Sequence, residues 1–146
     1  PVSLSRLVRD TAALLEAMRT DDDTPAPHRL RETCRRYRAF ALAHPARYRL
    51  MFSRSSEDTR PLAATRGSGL PAFDALTHAV DELPDTYRSP HLTSEEAAQI
   101  VWDAIHGAVT IEQASLMRVD DADRNFDLLL DVTIAGLRHA GQDRSG

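Results

Sequence analysis

Six histidines, one cysteine and scattered carboxylates are the side chains of this sequence with chemical potential, and their spacing decides which chemistry is open to them. His28, His44, His78, His91, His106 and His139 are dispersed, and no two stand three or four residues apart, so no helix or turn offers paired imidazoles to a metal. The run Asp21-Asp22-Asp23 lacks the glycine and the closing glutamate of a calcium loop and reads as a solvated turn. There is no G-x-S-x-G, no P-loop and no G-x-G-x-x-G, and Gly67-Ser68-Gly69 alone signals only a loop. Cys34 falls on the apolar stripe of its helix, where a thiol is an inert core group and not a nucleophile. These observations predict a chain that is not an enzyme and holds neither metal nor cofactor.

Binding is the chemistry that remains. A pocket needs aromatic and sulfur-bearing walls with a few polar handles, and the candidates are Tyr37, Phe40, Tyr48, Met51, Phe73, Ile105 and Glu112. Glu112 projects between the directions of Val101 and Ile105, toward apolar surroundings in which a carboxylate needs a partner or a ligand. His106 stands one turn after Trp102 and directly before Gly107. It has the chemistry of a ligand contact or a pH sensor. Its helical direction, at the polar edge of a second apolar stripe, favours a structural place at a dimer seam.

The elements that would position these groups are helices. Leu4, Leu7, Val8, Leu14, Leu15 and Met18 recur at helical spacing, and Pro25 and Pro27 punctuate the chain after them. A second helix follows from about His28 to Ala43, with Leu30, Cys34, Tyr37 and Ala41 inward and Arg31, Arg35, Arg36 and Arg38 on the solvated side, a cluster suited to an acidic partner. Pro45 opens a short helix to Phe52, with Tyr48, Met51 and Phe52 on its inner face. Residues 53–68 read as a loop, and Leu70, Phe73, Leu76, Val80 and Leu83 mark another helix closed by Pro84. Thr93 and Glu96 fit a capping box, which predicts a helix start there, running to about Met117. A last helix passes through Phe126, Leu130, Thr133 and Leu137. The expected fold is all-α, an antiparallel bundle of about six helices forming a single domain over residues 1–146.

The last two helices carry more apolar surface than their own core requires. On the first, Ala97, Val101, Ala104, Ala108, Ile111 and Ser115 line one direction, while Trp102, Val109 and Leu116 recur every seven residues on a shoulder roughly 100° away. On the second, Leu128, Val132, Ala135 and Gly136 flank the core side. Gly107 costs about 1 kcal/mol relative to alanine in mid-helix, a cost offset where another backbone packs close. Two such helices predict a homodimer closed as a four-helix bundle, with Trp102, His106, Val109, Leu116, Leu128, Val132 and Ala135 at the interface.

Composition narrows the partners. Hydrophobic residues at 42% and charged residues at 27%, with signs interspersed, give a globular domain with one core over 146 residues. A net charge of -4 leaves no basic footprint for a phosphate backbone, so DNA contact is expected only through another module. All 18 basic residues are arginine, a bias expected of high-GC bacterial coding. With one cysteine, no apolar run of membrane-spanning length and no leader, the chain is expected to be cytoplasmic and to have no membrane partner. Its start at Pro1 suggests a fragment of a longer protein.

Ala43-His44-Pro45-Ala46-Arg47-Tyr48-Arg49-Leu50-Met51-Phe52, followed by Trp102-Asp103-Ala104-Ile105-His106-Gly107, resembles the C-terminal effector domain of TetR-type (tetracycline-repressor-like) transcription regulators, in the subgroup with Trp, His and Gly on one helix. The resemblance implies a small, hydrophobic effector bound among the helices, a dimer through the last two helices, and repression of transcription relieved by ligand. It also implies a helix-turn-helix head in front of this domain, absent from these residues, as the only route to DNA. The alternative is a helical ligand-carrier or protein-interaction module unrelated to DNA.

Overall fold

Leu7, Asp10, Leu14 and Met18 lie on one face of the first helix at spacings of three and four, and all four are buried. The computed structural model describes residues 4–21, 23–52 and 71–142. Among these residues it is all-helical, with α1 (Leu4–Met18), α2 (Ala26–Ala43), α3 (Pro45–Met51), α4 (Pro71–Asp81), a 3-10 turn (Asp85–Tyr87), α5 (Ser94–Gln113) and α6 (Ala122–Leu137). The expected loop over 53–68 and the residue Leu70 lie outside the described residues.

Local chemistry explains the boundaries. Pro27 sits in the first turn of α2, where its missing N–H has no intrahelical acceptor to lose. His44 caps α2 and Pro45 restarts the chain as α3 at once, as the sequence predicts. The capping box at α5 is present in full, with Glu96 N–H donating to Thr93 Oγ1 at 3.1 Å and Thr93 N–H to Glu96 Oε1 at 3.0 Å. Asp121 caps α6 by accepting from Arg124 N–H at 2.9 Å. The predicted run of α5 to Met117 is four residues too long, since the helix ends at Gln113. There Ser115 takes φ 58°, and the amides of Ser115 and Leu116 donate to the carbonyls of Glu112 and Ile111, the two bonds of a Schellman motif.

α5 is the spine of the molecule. It packs against α2, α4 and α6, while α1 lies across α2, α3 and α4. Leu30, Cys34 and Tyr37 of α2, Tyr48 of α3, Leu76 and Val80 of α4, and Val101, Ile105 and Val109 of α5 are all at most 1% exposed and form the centre of the core. Phe126, Leu130, Ile134 and Leu137 close it from α6. Asp10 is buried against Arg47 of α3, 2.9 Å from its Nε, which ties α1 to α3. Ser89, 1% exposed, donates its amide to the Leu137 carbonyl at 2.7 Å and fixes the end of α6 to the loop before α5.

The rotation of α5 differs from the expectation. Its core stripe is Ala97, Ala98, Val101, Ile105 and Val109, and Ile111, expected inward, is 48% exposed. The large β-branched side chains at four-residue spacing take the core, and the small residues Ala104, Gly107 and Ala108 remain half-buried on the outer flank.

Candidate functional site

Where α2, α3 and α5 meet, five rings and one imidazole gather. Tyr37 and Tyr48 stand edge to face with centroids 5.7 Å apart, and Phe52 lies 4.9 Å from Tyr48 and 5.0 Å from His106. Trp102 extends the group, 5.9 Å from Phe52, 6.1 Å from Phe73 and 6.1 Å from His106. Helical geometry brings them together: Tyr48 and Phe52 are one turn apart along and just beyond α3, and Trp102 and His106 are one turn apart on α5.

The polar atoms of this group form one chain. Trp102 Nε1–H donates to the Tyr37 hydroxyl at 3.2 Å, the Tyr37 and Tyr48 oxygens lie 2.6 Å apart, and the Tyr48 hydroxyl bonds His106 Nδ1. His106 Nδ1 is also 3.3 Å from the Tyr37 oxygen. The direction of the protons follows from the ends. An indole is only a donor, so the Tyr37 oxygen accepts from Trp102. If Nδ1 carried a proton, the chain would run back toward Tyr37, whose hydroxyl proton would then have no acceptor among the described residues. With Nδ1 bare, Trp102 donates to Tyr37, Tyr37 to Tyr48 and Tyr48 to His106, and every proton is placed. His106 is therefore the tautomer with its proton on Nε2.

Electrostatics keep the members of this chain neutral. Burial pushes the Tyr37 hydroxyl up to about 12, against the pull of its bonds to Tyr48 and Trp102. Burial, reinforced by the adjacent Tyr37, raises Tyr48 well above the ordinary tyrosine range. Burial also holds His106 below its ordinary 6.5, opposed by the nearby Asp103. Both phenols thus keep their protons and the imidazole stays neutral at physiological pH.

Beside this chain lies a cavity of about 250 Å3, lined by Tyr48, Arg49, Phe52, His106, Thr110, Gln113 and Ala114. Gln113 is oriented by donating its amide to the Ala41 carbonyl at 2.8 Å. A second cavity of about 310 Å3 lies between α1, α2 and α4, bordered by Met18, Arg29, Thr33 and His78. It is larger, but it touches none of the aromatic group, and its Arg29 is paired with Glu82 and with the Thr24 carbonyl. The smaller cavity is the one that joins aromatic walls to a fixed set of polar atoms, the mark of a binding site.

The sequence profile of the tetracyclin repressor-like C-terminal domain matches residues 30–133, well over half of the chain and every element of this site. The chain belongs to that family. No curated protein and no solved structure matches it. For a tetracyclin repressor-like C-terminal domain, an all-helical bundle that serves transcription regulation is the expected architecture, and the fold described above is all-helical. Among the described residues no helix is long and apolar enough to cross a membrane.

Within this tetracyclin repressor-like domain the predicted site residues divide. Tyr37 and Tyr48 belong to the chain, Phe73 abuts Trp102, and Ile105 is fully buried in the core beneath them. Phe40 packs elsewhere, 4.9 Å from the His44 ring and beneath the Arg47 guanidinium, and Met51 is a core residue of α3. Glu112 does not await a ligand. Arg38 donates to both of its oxygens, at 3.0 and 2.8 Å, and to Asp123 at 2.8 Å. These bonds, Glu112 first, hold the Arg38 guanidinium above its ordinary value against its burial. Phe52, Thr110 and Gln113 line the cavity but are missing from the predicted list, although His106, Thr110 and Gln113 share one face of α5 at spacings of four and three.

The predicted interface residues of α5 occupy different settings in the protomer. Val109 is fully buried in the protomer's own core, and Trp102 and His106 face the aromatic group through their contacts with Tyr37 and Tyr48. Leu116 lies beyond the helix and is 65% exposed. On α6, Leu128, Val132 and Ala135 are exposed as expected. The arginine cluster of α2 meets acidic groups of its own chain: Arg31 pairs with Asp131, Arg35 with Asp127 and Arg38 with Asp123, while Arg36 pairs with Glu32. Cys34 is fully buried, and desolvation pushes its thiol up to about 12 despite Arg31 and Arg35, so it is not a nucleophile.

Proposed function

We propose that this domain senses a small molecule and dimerises within a bacterial transcription regulator, one that leaves DNA when ligand binds. The observation that carries the reading is the position of α5. One flank of this helix, through His106, Thr110 and Gln113, borders the cavity, and another flank presents an apolar strip of Ile100, Ala104, Gly107 and Ile111. Next to it α6 exposes Leu128 and Val132, the latter 71% accessible. A Cβ added at Gly107 or Gly136 would meet nothing within 4 Å among the described residues, so none of these neighbours requires glycine at either position. Each glycine costs about 1 kcal/mol relative to alanine, and close approach of a second copy of α5 and α6 supplies the reason for them.

In this reading a ligand seated against His106 stabilises one setting of α5, and the dimer face on the same helix carries that setting to the partner. Heads borne in front of the two copies then lose the spacing of their DNA half-sites. Such coupling is a difference in ligand affinity between two arrangements of the dimer.

A thermal-shift screen of one- and two-ring aromatic compounds is expected to yield binders that raise Tm in the parent protein. They should have no effect on a Thr110→Trp variant, whose indole fills the cavity from an exposed position. Binders indifferent to that substitution, or none at all, would refute the sensor site. A monomer by sedimentation at tens of micromolar would refute the dimer.

A further inference from the structure

We propose that the cavity beside His106 takes a flat aromatic carboxylate of one or two rings, held by Arg49 and by the Nε2–H of His106. The proposal rests on the reading of this cavity as the sensor site and adds the chemical class of its ligand. Size comes first. About 250 Å3 lies just below the range typical of drug-sized ligands and accommodates one or two fused rings. Shape follows from the walls, since the Tyr48 and Phe52 rings, 4.9 Å apart, with the His106 ring 5.0 Å from Phe52, offer ring surfaces and edges for a planar molecule.

The polar end is set by proton direction. Tyr48 directs its own proton to His106 Nδ1, so the imidazole presents its other nitrogen as a donor, and among the described residues that nitrogen has no hydrogen-bond partner. Thr110 adds a hydroxyl. The charge is set by Arg49, among the described residues the one lining side chain with a full charge, and it makes no ion pair among those residues. Among the described residues, the carboxylates near the site are otherwise engaged: Glu112 is clasped by Arg38, and Asp103 accepts from Gln99 at 2.6 Å. A site with an unpaired guanidinium and an imidazole donor favours an anionic acceptor, because charge-assisted bonds to a carboxylate are about twice as strong as neutral ones.

The chain contains a single tryptophan, and it lies inside the aromatic group, so its indole N–H is one unambiguous NMR signal. We would titrate the 15N-labelled protein at pH 7.5 with 2-naphthoate and with 2-naphthamide, its neutral counterpart. The expected result is a shift of the Trp102 indole signal by naphthoate, with at least about tenfold tighter binding than the amide. Arg49→Gln, at an exposed position, is expected to erase most of that preference while leaving Tm unchanged. Equal binding of the two probes, or a preference that survives Arg49→Gln, overturns the carboxylate assignment and leaves the sensor reading intact. No response of Trp102 to either probe removes the site itself.

Discussion

Removing the hydroxyl of Tyr37 should cost more than removing that of Tyr48, and the difference is a direct consequence of proton direction. In Tyr37→Phe, the Trp102 indole loses its acceptor and Tyr48 loses its donor, two hydrogen bonds at 3.2 and 2.6 Å. At about 1 kcal/mol net for each bond, with the fully buried ring otherwise unchanged, the expected destabilisation is about 2 kcal/mol. In Tyr48→Phe, the bonds of Tyr48 to Tyr37 and to His106 are both lost, but the Tyr37 proton can turn to His106 Nδ1, already 3.3 Å away, so two bonds are replaced by one longer one. About 1 to 1.5 kcal/mol follows. Urea unfolding followed by far-UV circular dichroism, at fixed protein concentration, measures both, and the double variant completes a cycle in which the effects should not add. A Tyr48→Phe cost equal to or above that of Tyr37→Phe would reverse the chain, place the proton on Nδ1, and remove the basis for the donor at Nε2.

Two valines separate core from interface. Val109→Arg places an unpaired charge in a fully buried site and should abolish the cooperative unfolding transition, whereas Val132→Arg, at 71% exposure, should leave protomer stability within about 0.5 kcal/mol and shift sedimentation from dimer to monomer. Cys34, with its pKa pushed up to about 12, should react with iodoacetamide at pH 8 roughly a thousandfold more slowly than a free thiol, and denaturant should restore the rate; fast labelling of the folded protein would contradict its burial. His106 is held below its ordinary 6.5 in the folded state, so the unfolded chain takes up its proton first as pH falls. The stabilisation from this residue is complete above about pH 6.5 and is lost as pH drops through the lowered folded value. Tm should therefore fall less steeply between pH 7 and 5 in His106→Gln than in the parent.

Much of the fold was legible because local chemistry marked it. The Thr93 to Glu96 capping box, the proline restart at Pro45 and the Phe126, Leu130 and Leu137 stripe each appear in the structure where the residues predict them. The rotation of α5 was not legible, because Ala104, Ala108 and Ile111 form as regular a stripe as Val101, Ile105 and Val109, and only the facing helices decide which one is buried. That ambiguity set Val109, which is fully buried in the protomer, among the interface residues. The end of α5 escaped because serine, not glycine, occupies the left-handed position at 115. Within the site, Tyr37, Tyr48 and Phe73 followed from residue type. The partner of Glu112 is Arg38, 74 positions earlier in the chain, a distance at which no periodicity speaks.

The arginines of α2 and the aspartates of α6 make the relation between those helices stepwise. Arg31, Arg35 and Arg38 meet Asp131, Asp127 and Asp123 in antiparallel order, at intervals of three or four residues on both sides. Sliding α6 by half a turn would separate every pair. Sliding it by a full turn, about 5.4 Å, would set Arg31 against Asp127 and Arg35 against Asp123 and so restore two of the three. A full turn the other way would set Arg35 against Asp131 and Arg38 against Asp127, so the ladder marks whole-turn steps in either direction as the displacements of α6 that keep two of its three pairs.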